Sequence, residues 1–263
     1  MTQPDSKVAI VTGAARGIGF ATARKFLTEG WRVCLLDIDG ESQAVARDSL
    51  ARPATTIAVT CDVAEPDQVD AAITSTMEAF GRIDALVNNA GIAVFKPILE
   101  TSFAEWSRVL AVNLTGAFLC TNACAPFMLA GGGGSVVNIT SISGTRASTL
   151  RVAYGTSKAA LMHLTKQQAA ELGNRGIRVN AVSPGPVDTA MAKQVHTPDI
   201  RADYHDAIPL NRYGSEEELA EAVFFLCSDK ASYINGQILN VDGGFAATGI
   251  GLPSLRNGVL PIE

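Results

Sequence analysis

The chain has 263 residues, 47% of them hydrophobic and 18% charged, with a formal net charge of −5. A length of this order holds one large α/β domain or two small ones and buries a substantial core. The mild acidity, with no run of Lys or Arg, lacks the electrostatic footprint of a nucleic-acid or anionic-membrane binder, so neither partner is expected.

Residues 1–7 carry no apolar core, so no secretory leader is expected. No apolar stretch of about 18 residues stands out, so no membrane span is expected either. The cysteines, Cys34, Cys61, Cys120, Cys124 and Cys227, are odd in number and have no paired framework. Cys120 and Cys124 are one helical turn apart, but no His or third Cys beside them makes a metal site. They read as buried thiols in a reducing cytoplasm.

In chain order, a strand is predicted over residues 8–11 and a helix over 17–29, then a strand over 33–36 and a helix over 41–50. Residues 56–59 and 65–80 repeat the pair. Residues 83–87 form a fourth strand ahead of a long helix over 103–129. A fifth strand, 135–139, precedes a helix over 154–172, and 177–182 form a sixth. A helix over 216–227 and a strand over 238–241 close the pattern. The strand runs are short and mostly β-branched, as strands covered on both faces should be. Strict alternation predicts an α/β fold: one doubly wound, seven-stranded parallel sheet with helices on both faces, in a single domain over 1–263.

Two stretches break the rhythm. Four glycines at 131–134 read as a turn. Residues 184–213 lack a clear strand, and a connection of that length is usually functional or mobile, so about 186–213 is expected to be a substrate loop. The tail over about 246–263 is no obvious part of the sheet.

Thr12-Gly13-Ala14-Ala15-Arg16-Gly17-Ile18-Gly19 lies between the first strand and the first helix. Glycines there permit a tight turn and let backbone N–H groups approach a pyrophosphate at the positive helix end. The spacing is G-x-x-x-G-x-G, which differs from G-x-G-x-x-G and is weak evidence alone. Asp37 ends the second strand, where a carboxylate can accept both hydroxyls of an adenosine ribose and repel a 2′-phosphate. That favours NAD over NADP, while Arg16, a cation beside the phosphates, pulls the other way. The plainer alternative makes Asp37 the start of an Asp37-Ile38-Asp39-Gly40 turn.

Tyr154 and Lys158 are four apart at the start of a predicted helix and share a face. An ammonium beside a phenol stabilises phenolate and fits the tyrosine for acid/base work near neutral pH. Such a pair is also common helix decoration. Ser141 lies at the carboxyl end of the fifth strand, the edge where open α/β sheets bind ligands. Its turn-like setting equally suits a capping serine.

Taken together, these motifs resemble the short-chain dehydrogenase/reductase family, the single-domain branch with a Rossmann-type fold. The likeness covers residues 7–245, with Thr12 to Gly19, Asp62-Val63, Asn88-Asn89-Ala90-Gly91, Asn113, Ser141, Tyr154-x-x-x-Lys158 and Pro184-Gly185 in family order. It implies that Tyr154 is the general acid/base, that Ser141 orients the substrate oxygen, and that Lys158 lowers the Tyr154 pKa and binds nicotinamide ribose. Asn113 would distort its helix and hold a water that links Lys158 to solvent. Gly13, Arg16, Gly17, Ile18 and Gly19 would hold the phosphates, with Asp37 and Ile38 at the adenosine end. Asp62 and Val63 would contact adenine through a side-chain acceptor and a backbone N–H. Asn89, Ala90 and Gly91 would line the cofactor, and Pro184, Gly185, Val187 and Thr189 would embrace the carboxamide.

The resemblance further implies NAD as cofactor, with NADP second, reversible oxidation of a small-molecule secondary alcohol to a ketone, and a cytoplasmic homotetramer. Ser141, Ser143, Tyr154, Val94, Phe95, Arg151 and Met191 would meet the substrate. Arg151, His196 and Arg201 suit an anionic or polyhydroxylated substrate, or are solvated loop residues. No metal is expected. The alternatives are an NADPH-dependent ketoreductase resembling 3-oxoacyl carrier-protein reductases, and a silent NAD(P)-sensing regulator. The tail after Gly249 is expected to reach a neighbouring subunit.

Overall fold

The computed structural model describes residues 6–249, apart from the side chains of Met191 and Gln194. The strands are β1 (Val8–Thr12), β2 (Arg32–Asp37), β3 (Thr56–Thr60), β4 (Ala85–Asn88), β5 (Gly134–Ile139), β6 (Ile177–Pro184) and β7 (Ile238–Val241). They pair in the order β3-β2-β1-β4-β5-β6-β7, and every pair is parallel. The chain first builds outward from β1 to β3, then restarts at β4 on the other side of β1. At that reversal the connections leave in opposite directions, which opens a crevice at the carboxyl ends of β1 and β4.

The helices are α1 (Gly17–Thr28), α2 (Gly40–Ser49), α3 (Pro66–Phe80), α4 (Phe103–Leu110), α5 (Gly116–Ala130), α6 (Ile142–Thr145), α7 (Val152–Leu172), α8 (Ala190–Val195), α9 (Pro198–Ala207) and α10 (Glu216–Cys227). Strand side chains alternate between two cores, as a period of two requires. Ala9, Val11, Val33 and Leu35 join Phe26 and Leu27 of α1 and Leu219 and Val223 of α10. Ile10, Cys34 and Leu36 join Val69 and Ile73 of α3 and Cys120, Cys124 and Met128 of α5. All five cysteines are free and buried. Burial pushes the Cys34, Cys120 and Cys227 thiols up to about 12 and Cys61 up to about 11.

Four expectations need correction. The expected helix over 103–129 is interrupted, because Ala111–Thr115 forms a π-helical turn between α4 and α5. The stretch expected to be an irregular loop contains α8 and α9, each started by a threonine side chain that accepts a backbone N–H, Thr189 and Thr197 respectively. The strands over 56–59 and 238–241 are not covered throughout, since β3 and β7 are the sheet edges and Leu239 is 38% exposed. Finally, the run Phe103–Ala130 is long and apolar enough to cross a membrane, with mean hydropathy 1.4. Half of it is buried against the rest of the fold and it includes Asn113, Glu105 and Arg108, as suits a helix of the interior. The tail beyond Gly249 lies outside the described residues.

Candidate active site

The glycine turn is built by its neighbours. Thr12 Oγ1 at the end of β1 accepts the backbone N–H groups of Asn89 (3.0 Å) and Ala90 (2.9 Å). Asn89 Nδ2 donates to the carbonyls of Thr12 and Gly13, both at 2.9 Å. The segment after β4 is thereby fastened to the turn that opens α1. Gly13 has φ +63°, and a Cβ there would come within 2.9 Å of Ala90 Cα. At Gly19 a Cβ would collide with the Gly13 carbonyl oxygen. Gly17 (φ +63°), Ile18 and Gly19 form the first turn of α1, whose free N–H groups face the crevice. Arg16, at the helix start, is exposed and makes no cap bond.

Asp37 is fixed from both sides. Its Oδ2 accepts Ala15 N–H at 2.9 Å and its Oδ1 accepts Asp39 N–H at 3.1 Å. The carboxylate therefore stands at the mouth of the turn, with Ile38 exposed beside it. The expected turn at Asp37 is present as well: Asp39 caps α2 through Ser42, and its carboxyl is held down by the Ser42 hydroxyl and backbone, with Arg16 adding to the effect. Asp62 is fixed in a similar way: its Oδ2 accepts from Arg108 at 2.6 Å and its Oδ1 accepts Ala64 N–H at 3.0 Å, which leaves a further lone pair on each oxygen. Val63 is buried against Gly116.

Ser141, Tyr154 and Lys158 converge at the carboxyl end of β5. Ser141 is buried and caps α6 by accepting Ser143 N–H at 3.1 Å, so the capping role is present too. Ser143 is also buried, and its hydroxyl lies 3.2 Å from that of Ser148. Lys158 is buried, with Nζ 2.7 Å from the Ile139 carbonyl and 5.7 Å from the centre of the Tyr154 ring. That leaves two of its three protons without an acceptor among the described residues. Burial lowers the Lys158 pKa to about 8.

The Tyr154 phenol is buried beside these groups. Burial raises the phenol, and the groups that pull it back down are the Ser141 hydroxyl and the charge of Arg151. Asn113, at the π-turn, is buried and makes three side-chain hydrogen bonds. Its Oδ1 accepts Ile92 N–H at 2.8 Å, and Nδ2 donates to the Ile92 carbonyl (2.9 Å) and to Ser157 Oγ (3.0 Å). Gly91 lies directly above it: a Cβ there would stand 3.3 Å from Asn113 Oδ1 and 3.4 Å from Lys158 Nζ.

The far wall comes from the end of β6 and the segment that leads into α8. Gly185 packs on Asp242 so closely that a Cβ would come within 2.7 Å of Asp242 Cα. Val187 bridges Gly214, and Thr189 caps α8. Val94 is half-buried, and Phe95 is exposed but lies under the Arg151 guanidinium at 5.0 Å. The Met191 side chain is outside the described residues. Sequence reasoning gave no individual role to Thr12, Ser157, Tyr204 or Tyr213, although Tyr204 and Tyr213 fall in the expected substrate loop. Thr12 sits inside the quoted glycine motif, so its strand-end position was a usable signal. No local pattern marks the others.

A nicotinamide dinucleotide fits these residues. The glycine cradle admits no side chain, the first turn of α1 offers free N–H groups, and buried Lys158 keeps two protons for hydroxyls. A family model described as Enoyl-(Acyl carrier protein) reductase matches residues 13–246. The chain is 41% identical to a 3-oxoacyl-[acyl-carrier-protein] reductase of Synechocystis sp., over 93% of this chain and 98% of that protein.

The chain belongs to the short-chain dehydrogenase/reductase family.

As a member it is a nicotinamide-dependent oxidoreductase. Another short-chain dehydrogenase relative, the D-threitol dehydrogenase of Mycolicibacterium smegmatis, is 40% identical over 92% of this chain and 93% of its own length. The crystal structure of levodione reductase superposes with a TM-score of 0.88 at 34% identity, covering 92% of this chain and 98% of that one.

Proposed function

We propose that the protein is an NAD-dependent alcohol dehydrogenase and ketone reductase, acting on secondary CH–OH groups through Tyr154 as general acid/base. The observation that carries the NAD assignment is the Asp37 carboxylate, held at the mouth of the glycine turn by Ala15 and Asp39 N–H groups. A 2′-phosphate there would meet a fixed negative charge that cannot swing aside, a contact costing several kcal/mol. Ribose hydroxyls would instead donate to it.

When bound, NAD supplies the hydride acceptor. Ser141 holds the substrate oxygen by hydrogen bonding, and Tyr154 takes the hydroxyl proton at its phenolic oxygen during oxidation or returns it during reduction. Lys158 binds the nicotinamide ribose with the two protons that Ile139 leaves free. Its charge reaches Tyr154 over 5.7 Å to the ring centre. The glycine turn, Asn89 and Gly185 align the dinucleotide, and the protein's share of catalysis is this alignment together with the local electrostatics.

A second reading is an NADPH-dependent ketoreductase. Arg16 at the helix start and the likeness to the Synechocystis reductase favour it. Fluorescence titration with NADH and NADPH separates the two, and tighter NADPH binding would overturn the Asp37 argument. A silent sensor is disfavoured by the intact Ser141, Tyr154 and Lys158. A panel of secondary alcohols with NAD, with Tyr154→Phe alongside, tests the chemistry: the substitution should abolish turnover and leave NADH binding within about twofold. We extend the reading to a cytoplasmic homotetramer. Its support is five buried free thiols and the exposed Phe118 and Phe127 on α5, Phe225 on α10 and Leu239 on β7.

A further inference from the structure

We propose that Arg151 is the anion-binding residue of a substrate subsite, so that the alcohol or ketone this enzyme takes carries an oxyanion group. The inference rests on the dehydrogenase reading above and names the substrate class of that site.

Backbone geometry puts Arg151 there. Leu150 adopts φ +61°, a left-handed conformation that is strained for any residue but glycine. Its carbonyl accepts Lys96 N–H at 3.1 Å, which ties the segment after β4 to the start of α7. The chain then enters α7 with the Arg151 carbonyl accepting Gly155 N–H at 2.8 Å. The half-buried side chain lies across the Phe95 ring, its guanidinium carbon 5.0 Å from the ring centre. Arg151 is the residue immediately before α7, three ahead of Tyr154. Its charge reaches the Tyr154 and Tyr213 phenols, where it pulls against the burial that raises them, and His196, where it adds to the burial that lowers it.

Several other arginines around the fold are satisfied. Arg24 pairs with Glu217, Arg82 with Asp84, Arg108 with Asp62 and Arg212 with Glu218, while Arg146 binds the Phe245 carbonyl. The Arg151 side chain makes no ion pair and no hydrogen bond among the described residues. Its five donors meet only an aromatic face.

The facing wall does not supply the missing charge. Arg201 lies 4.3 Å above the Tyr213 ring and shares Asp188 with Lys193, at 3.1 and 3.5 Å. Glu216 adds a second carboxylate close to Lys193 and Asp188, so that wall balances its own cations. His196 hydrogen-bonds the Tyr213 hydroxyl at 3.0 Å, and burial with both guanidiniums keeps it neutral to lower pH. A molecule entering between Phe95 and these helices meets a partly apolar surface with one unpaired bidentate donor, the Arg151 guanidinium. Such a guanidinium recognises a carboxylate, sulfonate or phosphate by paired hydrogen bonds, which a neutral alcohol cannot return.

The test compares kcat/KM, with NAD, for 3-hydroxybutyrate and its longer homologues against their methyl esters, and for glycerol 3-phosphate against glycerol. Wild type should favour the anion of at least one pair, and Arg151→Ala should reduce that preference roughly 10- to 100-fold. Arg151→Lys should recover part of it. Binding of acetoacetate and its homologues to the NAD-loaded protein, followed by calorimetry, reads the subsite without turnover and should weaken about tenfold or more in Arg151→Ala. If Arg151→Ala lowers acid and ester alike, the residue acts on Tyr154 or on the loop and the inference is overturned. It is overturned equally by a wild type that prefers every ester and glycerol, or that shows neither turnover nor binding of any anion. If anions bind through Arg151 but nothing turns over, the subsite stands and the dehydrogenase reading fails.

Discussion

Asn113 and Tyr154 are joined through one hydroxyl. Asn113 Nδ2 donates to Ser157 Oγ at 3.0 Å, and Ser157 Oγ donates to the Tyr154 carbonyl at 2.7 Å. The π-turn in the long helix is thus wired to the first turns of α7, where the tyrosine stands. Asn113→Leu would leave the Ile92 N–H and carbonyl without this partner in a part-buried setting, toward the lower end of about 1–3 kcal/mol per group. Urea unfolding should report a loss in that range, and kcat should fall with it. A variant as stable and as active as wild type would show that the link is not needed.

Lys158 gives a pH signature. Burial lowers its pKa from 10.5 to about 8, so between those values the folded chain binds fewer protons than the unfolded one. Stability then rises with pH across that window, and below about 8 the cost of burying the charge is fully present. Relative to Lys158→Met, wild type should gain on the order of 3 kcal/mol between pH 8 and 10.5, at about 1.4 kcal/mol per pKa unit. Guanidinium unfolding of both proteins across that range measures it, and parallel curves would contradict it.

Asp37→Ser should move the ratio of NADPH to NADH affinity at least roughly tenfold toward NADPH, because the fixed carboxylate is gone and Arg16 remains. NADH binding should weaken as the ribose hydroxyls lose their acceptor. An unchanged ratio, read by fluorescence titration, would assign the discrimination to another residue.

Gly19→Ala and Gly30→Ala form a matched pair. At Gly19 the new methyl would strike the Gly13 carbonyl and the Asn89 amide, whereas at Gly30 (φ +83°) nothing lies within 4 Å. Gly30→Ala should cost about 1–3 kcal/mol of backbone strain and leave NADH binding intact. Gly19→Ala should cost about 1–3 kcal/mol through overpacking and abolish NADH binding as well. Equal NADH affinity in the two variants would mean that the cradle tolerates a side chain.

Much of the fold and the site is legible in the sequence, because the relevant signals are local. Short β-branched runs mark strands, and the glycine turn, Asp37, Ser141 and the Tyr154–Lys158 spacing each sit at a strand or helix end that alternation locates. What escapes depends on contacts distant in sequence. A π-turn has the composition of any helix, and Asn113 is drawn into it by Ile92, on a separate segment. Arg108 reaches Asp62 across 46 positions, and no spacing announces that. The helices α8 and α9 are short, but Thr197-Pro198 is a legible start signal that the absence of strand character obscures.

The sealed cysteines have a practical consequence. With thiol pKa values of about 11 to 12 for four of the five, and Cys124 also raised well above its ordinary value, fewer than about one thiol in ten thousand is ionised at pH 7. All five side chains are also closed to solvent. A single cysteine introduced on the surface, for example at Ile200 on α9, would react with maleimide dyes against almost no background. The native sequence is already suited to carrying a site-specific optical reporter of motion around its substrate cleft.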